Sequence, residues 1–423
     1  MRFAFITPRY GADVCTGAEH ACRLLAEQAS KRHDVEVFTT TSRDPATWKN
    51  EYSEGADRVR RVLVRRFAVS GERDVTLFDR LERDLARGPR SREDERAWVR
   101  HHGPSSAGLL EHLKQQHRSF DALVFFGLWH PLTVQGLDIA PGRSVLFPYV
   151  QLRNALRFDL WADILSAPRA LGYFSNAERE LVRSYAGVTP GHEELVGIGI
   201  DAPAQQSYPR HQQDPADSIT EDQDAHQEDA EGDEEEYLAG RGVPFSRRHR
   251  LYGTFVLYGG RVESDNGCEE MLEYFDSYAA AAEDPTLVLM GVKMLKVPEA
   301  PYLRLAGVLP DRERMTAYEA AAVTIAPGPD DLLSQPLLES LAVGTPVLAS
   351  ARNRAAVEHC RRSNAGLYYR NREEFVGALT ELMRTPGLRH RLGENGRRYV
   401  RQHHQWDNVI SRFERLVSRV RPR

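Results

Sequence analysis

The stretch PGPDDLLSQPLLESLAVGTPVLAS, residues 327–350, decides the fold. An apolar run at 323–326 has strand length, and the loop after it leads to Ser334 or Gln335 as helix N-cap, with Pro336 in the first turn. The helix then runs to Val343 and stops at Gly344, before a second apolar run at 345–349. Strand, loop, helix and strand in that order form a parallel αβ unit. In such sheets ligands bind at the carboxyl ends of the strands, where a helix start offers unpaired amides and partial positive charge to anions such as a diphosphate. Asp331 lies on the loop and Glu339 one turn inside the helix, so two carboxylates border one anion-binding helix start. Beside phosphates, carboxylates make sense as acceptors for hydroxyls, which a sugar and a ribose supply on either side of a diphosphate. Read in isolation, Glu339 equally complements the helix dipole and Asp331 equally makes a turn.

The same alternation extends in both directions. Strand candidates at 3–7, 35–39, 62–67, 122–126 and 144–149 precede the decisive stretch, and others at 254–258, 286–290, 323–326, 345–349 and 365–369 surround it. Between the two sets, residues 203–240 are rich in Gln, Asp, Glu, Pro and Ser and have almost nothing to bury, which predicts a disordered acidic loop. The segment from 79 to 102, rich in Arg, Asp and Glu, reads as a solvated helix, loop or partner-facing arm. The expected organisation is therefore an α/β domain at 1–202, the insertion at 203–240, a second α/β domain at 241–404 and a final helix at 405–423.

Bulk properties narrow the functional classes. The chain has 423 residues, 41% of them hydrophobic, enough for two cored domains. Its longest apolar runs fall far short of the ~20 residues of a membrane span, and residues 1–8 read as a first strand closed by proline rather than an export signal, so a cytoplasmic protein is expected. Cys15, Cys22, Cys268 and Cys360 have no metal-ligand spacing and read as reduced thiols. Residues 211–237 hold twelve acidic and no basic side chains; setting those twelve charges aside from the total of −5 leaves the remainder at +7. Spread over nearly four hundred residues, that charge argues against nucleic-acid binding. Basic clusters at 58–66 and 87–100 suit peripheral contact with an anionic membrane, although the first also fits a strand with a solvated face. A two-Rossmann oxidoreductase is disfavoured, since PRYGADVCTGAE after the first strand lacks the G-x-G-x-x-G turn.

Taken as an ordered set, the motifs resemble those of the retaining group 1 glycosyltransferases (family GT4) of GT-B fold. Asp331 and Glu339 occupy the acidic positions of their E-x7-E element, and GTPVLAS follows as its strand. The other landmarks, in order, are Gly17-Ala18-Glu19, VGIGID at 196–201, YGGRVE at 258–263, GVLPD at 307–311, NAGLYY at 364–369 and Trp406-Asp407. The resemblance implies two Rossmann-like, doubly wound parallel-sheet domains facing an interdomain cleft, with the C-terminal helix crossing back to the first. It implies a nucleotide-sugar donor, a glycan or lipid-linked acceptor in surface polysaccharide assembly, and no metal or other cofactor.

By the same resemblance Arg261 neutralises the departing diphosphate, Glu339 holds the ribose hydroxyls and Asp331 the donor sugar. Gly17, Gly260, Asn266, Leu309, Ser334, Gln335 and Leu338 would line the donor. The chain departs from the pattern at three places. Asn266 stands where the family usually has a phosphate-binding lysine, Asp331 is shorter than the usual glutamate and is followed by Leu332 instead of a small residue, and Pro148 to Arg153 lack a His-Asp pair. Gln151 and Arg153, with His20 and His130, are the candidates for acceptor or donor-sugar contacts. The alternative is a degenerate member of the same fold that binds nucleotide, glycan or a partner enzyme without turnover.

Overall fold

Short, largely buried apolar runs form the central strands of two parallel sheets. A computed structural model describes residues 1–14, 17–88, 90–150, 154–187, 191–201 and 243–420. The 203–240 segment, Gln151, Arg153 and Cys15 lie outside the described residues. The chain divides into one unit of Met1–Gly199, Asp330–Leu333 and His403–Arg423 and another of Ile200–Pro329 and Ser334–Gln402.

The first unit holds β1 (Arg2–Ile6), β2 (Asp34–Thr40), β3 (Gly55–Val59), β4 (Val62–Phe67), β5 (Ala122–Phe126), β6 (Ser144–Phe147), β7 (Ala170–Tyr173) and β8 (Glu193–Leu195). They lie in the order β3-β4-β2-β1-β5-β6-β7-β8, parallel except for the β3–β4 hairpin. Apolar clusters cover both faces. One gathers Phe3, Phe5, Phe126 and Phe147 against Val409, Ile410, Phe413 and Leu416 of the C-terminal helix Trp406–Ser418. Burying each of these phenylalanines contributes about 1.5–3 kcal/mol. Polar contacts fix the same helix in register: Arg412 Nε donates to the Val196 carbonyl at 2.8 Å, and Arg415 pairs with Glu194 at 2.9 Å.

The stretch from 79 to 102 takes the helix among the alternatives its charge suggests, but a helix that is only partly solvated. It folds largely into two helices, Val75–Arg87 and Arg92–His102, with Phe78, Trp98 and Val99 buried. Glu95, 1% exposed, accepts the backbone amides of Asp159 at 2.9 Å and Leu160 at 3.0 Å, and pairs with Arg90 at 3.2 Å. A carboxylate tying together chain segments in this way is buried because its hydrogen bonds replace those of water.

The second unit holds β9 (Val256–Gly259), β10 (Leu287–Met290), β11 (Leu303–Gly307), β12 (Val323–Ala326), β13 (Val347–Ser350) and β14 (Gly366–Tyr369), in the order β11-β10-β9-β12-β13-β14. Every pairing in it is parallel. Strand order reverses between β1 and β5 in the first sheet and between β9 and β12 in the second. Those switch points are where an open α/β sheet leaves a crevice beyond its carboxyl edge. Among the described residues no helix is long and apolar enough to cross a membrane.

Candidate functional site

In the second unit the loops leaving β9 and β12 border the switch point. Gly260 follows β9 with φ +150°, and its amide donates to the Met290 carbonyl at the end of β10 at 2.9 Å. The two segments approach so closely that a Cβ on Gly291 would lie 1.9 Å from the Gly260 oxygen, which is why Gly291 lacks a side chain, while the positive φ of Gly260 favours glycine there. Arg261 comes next, its side chain 46% exposed and paired with Glu263 at 2.8 Å. Its carbonyl is held by Tyr258 Oη at 2.7 Å, by Asn266 Nδ2 at 2.9 Å and more weakly by Cys268 Sγ at 3.8 Å. Asn266 thus shapes the turn before helix Cys268–Ala279 instead of supplying a cation.

A cation does arrive from the neighbouring strand. Val262 forms a parallel bridge with Lys293, and its amide donates to the Val292 carbonyl at 2.8 Å. Lys293 is exposed and has no ion pair among the described residues. Sequence reasoning missed it, because a lysine three residues past an apolar strand carries no pattern of its own. Beside it, Val292 and Val308 are 45% and 71% exposed, one residue past the 2.8 Å bond from the Gly291 amide to the Gly307 carbonyl. Leu309 is half-buried against the cluster around Leu257, Met290 and Tyr318.

The decisive stretch folds as β12, a loop and helix Gln335–Val343, which ends at Gly344. Ser334 is the N-cap, buried, with φ +48°, and its side chain does not cap the helix. First-turn amides of a helix have no acceptor within it, and Pro336 removes one of them. Ser340 Oγ donates to Thr324 Oγ1 at 2.8 Å, locking the helix onto β12. Leu338 is fully buried, and its amide bonds the Ser334 carbonyl at 2.9 Å. Asp331 is half-buried on the segment Asp330–Leu333, which groups with the first unit: Leu332 and Leu333 are both buried in that unit's apolar clusters.

Glu339 is 5% exposed and already engaged. Arg314, on helix Asp311–Ala320, forks onto it with Nε to Oε2 at 3.0 Å and Nη2 to Oε1 at 2.9 Å. Gln335 Nε2 adds a third bond to Oε1 at 2.8 Å, and Arg314 Nη1 reaches Asp311 Oδ1 at 2.7 Å. Burial by itself would lower the pKa of Arg314, but the charges and hydrogen bonds of Glu339 and Asp311 raise it further above its usual value. The guanidinium is permanently charged. Arg314 stands twenty-five residues from Glu339, with no local motif to mark it.

The remaining candidates lie in the first unit. Gly17 opens helix Gly17–Ala29 with φ +76°, and the neighbouring Glu19 is buried against Arg9 at 3.1 Å. His20 lies 3.3 Å from the Val14 carbonyl and 3.2 Å from Arg23 Nη2 through Nδ1. His130 precedes helix Pro131–Leu137, with Nδ1 2.8 Å from the Gly103 carbonyl, among the rings of Trp48 and His102. Burial pushes its pKa down, keeping it neutral at pH 7. Gln151 and Arg153 lie outside the described residues. Cys22, Cys268 and Cys360 are free and buried. Among the described residues no group of three or more His, Cys, Asp or Glu side chains is placed to hold a metal ion.

Comparison with known proteins follows this geometry. Residues 280–415 match a family model described as glycosyl transferase-like. Over 87 residues the chain is 31% identical to Glycosyltransferase 1 domain-containing protein 1 of Xenopus tropicalis, a match covering 20% of this chain and 24% of that protein. Solved structures align along nearly the whole chain. Sucrose-phosphate synthase from Thermosynechococcus elongatus does so at 15% identity and a TM-score of 0.62, covering 99% of this chain and 98% of its own. Anabaena HepE in complex with UDP and glucose gives 12% identity and 0.65, covering 99% of each chain. WaaG, a glycosyltransferase involved in lipopolysaccharide biosynthesis, gives 15% and 0.59, covering 98% of this chain and 99% of its own. The chain has the GT-B fold, two parallel-sheet α/β units, and its residues 280–415 are similar to the glycosyl transferase-like proteins.

Proposed function

We propose that this protein is a retaining glycosyltransferase that moves a sugar from a nucleotide-sugar donor to a saccharide or lipid-linked glycan at the cytoplasmic face of a membrane, in surface polysaccharide assembly. The observation that carries the reading is the second unit's switch point, where an exposed arginine, a lysine without an ion pair among the described residues and a helix start follow the carboxyl ends of the adjacent strands β9, β10 and β12. A diphosphate fits that chemistry, since a guanidinium forks onto phosphate oxygens and helix amides add fixed donors. Arg261 would exchange Glu263 for the diphosphate, and Lys293 would supply the cation absent at Asn266. The exposed carbons of Val292 and Val308 offer a face for the base. Asp331 would take the donor sugar, as its place after β12 suggests.

In transfer with retention the departing phosphate takes the acceptor proton on the face it leaves. Stabilising its growing charge then dominates, and the reading invokes no metal ion or other cofactor. HepE, whose structure holds UDP and glucose, supports a nucleotide sugar as donor class. The second reading, binding without turnover, draws on Asn266, whose amide is spent on the Arg261 carbonyl. Screening UDP-, GDP- and ADP-sugars for thermal stabilisation, then assaying donor turnover with saccharide and lipid-linked acceptors, separates the two. Stabilisation with turnover supports the enzyme, and stabilisation without it supports the binder. No response to any nucleotide sugar would reject the enzyme and the nucleotide binder alike.

A further inference from the structure

Glu339 is the group the nucleotide-sugar reading assigns to the ribose, yet most of its hydrogen-bonding capacity is taken. A carboxylate has about four lone-pair sites. Oε1 accepts from Arg314 Nη2 at 2.9 Å and from Gln335 Nε2 at 2.8 Å, which fills it. Oε2 accepts from Arg314 Nε at 3.0 Å, which leaves one. A vicinal diol that presented both hydroxyls to this carboxylate would have to displace the arginine.

Displacement is opposed by the surroundings. Arg314 is anchored a second time on Asp311 at 2.7 Å, and Glu339 is 5% exposed, so an arginine swung away would leave a buried carboxylate without its counter-charge. The planar guanidinium also fixes the plane of the carboxylate it forks, which sets where the last lone pair points. With its charge balanced in this way, Glu339 can stand beside the amide end of its own helix without repelling a diphosphate bound there.

We propose that Arg314 is a positioning residue of the donor site: its fork holds Glu339 so that one lone pair, on Oε2, is left for the nucleotide, and a single ribose hydroxyl is read instead of the pair. This rests on the nucleotide-sugar reading above. Single-point recognition predicts that removing one hydroxyl of the ribose matters and removing the other does not.

The test is calorimetric titration of the full chain with UDP, GDP and ADP, followed by the 2′-deoxy and 3′-deoxy forms of whichever binds most tightly. Wild type should lose about tenfold or more in affinity for one deoxy form and less than about twofold for the other, the loss expected for a hydrogen bond to a charged group. In Arg314→Gln the two deoxy forms should bind alike, because a freed Glu339 either meets both hydroxyls or neither. Arg314→Lys keeps the charge without the fork and should behave the same way, and it decides the matter if the glutamine variant does not fold. A role confined to stability would move the melting temperature and leave the ratio between the deoxy forms intact. The proposal is overturned if wild type treats both deoxy forms alike, or if either folded variant keeps the wild-type ratio. Failure of wild type to bind any of the three nucleotides would instead remove the nucleotide-sugar reading, and this assignment with it.

Discussion

Glu178 shows how a single buried carboxyl leaves a mark on the whole stability profile. It is fully buried on helix Asn176–Ala186, and burial raises its pKa from 4.5 to about 7, although the amides of Phe174, Tyr149 and Val150 partly offset the rise. Between those two values the folded protein keeps a proton that the unfolded chain has released. Stability contributed by this group therefore falls as pH climbs from about 4.5 through 7. A shift of that size corresponds to about 3 kcal/mol. Urea unfolding at pH 5 and pH 8 should show wild type losing about that much more stability than Glu178→Gln over the interval, and equal losses would contradict the assignment. Lys293 makes a prediction of another kind. It is exposed, so Lys293→Ala should leave folding intact and raise the donor KM about tenfold with little change in kcat, measured by initial rates, if it binds the diphosphate equally in ground and transition states.

Among the elements, helix Arg92–His102 is the one whose character the charge pattern concealed. Its capping box, Ser91 with Asp94, is present in the sequence as Ser-x-x-Asp, and Trp98 and Val99 mark a buried face. Eight charged residues between 87 and 100 outweigh those cues to the eye, yet several of the charges are consumed in local pairs, such as Arg90 with Glu95 and Arg100 with Glu93. Glu95 is the keystone because its carboxylate satisfies two backbone amides of another segment. Glu95→Ala should cost about 2–4 kcal/mol in urea unfolding, the cost of stranding buried donors together with Arg90. A loss below about 0.5 kcal/mol, the usual effect of a surface change, would show that the contact contributes nothing to the fold.

Strand edges account for another part of what the sequence concealed. β3 and β11 are largely exposed and carry Arg58 and Arg304 in place of an apolar run, while β7 and β8 are four and three residues long. β3 and β11 lack the burial that makes an apolar run conspicuous, β8 lacks both burial and length, and β7, although buried, is only four residues long. The central strands were legible for the opposite reason: β1, β5, β9, β12 and β13 have helices or apolar clusters on both faces and so read as continuous apolar runs.

For the molecule as a whole, alternation of such runs with helices was enough to give two doubly wound units, and the helix Gln335–Val343 was legible to the residue at its Gly344 end and to within one residue at its start, where Ser334 and Gln335 were both N-cap candidates. Proline and glycine mark those boundaries through backbone restraint, which acts locally. Partners that act through space were not legible. The Arg314 fork on Glu339 and the bridge that sets Lys293 beside Val262 both depend on which strands lie next to one another, and the grouping of Asp330–Leu333 with the first unit depends on tertiary packing.

The most direct test of the proposed chemistry is kcat/KM for the preferred nucleotide sugar in wild type and in Arg261→Ala. Since the Arg261 side chain is 46% exposed, the variant should melt as wild type does. Loss of a charge that stabilises the departing diphosphate should lower kcat/KM by about 10²–10³-fold. Equal turnover by the two proteins would show that the diphosphate does not leave against Arg261, and the site described around it would not be the donor site.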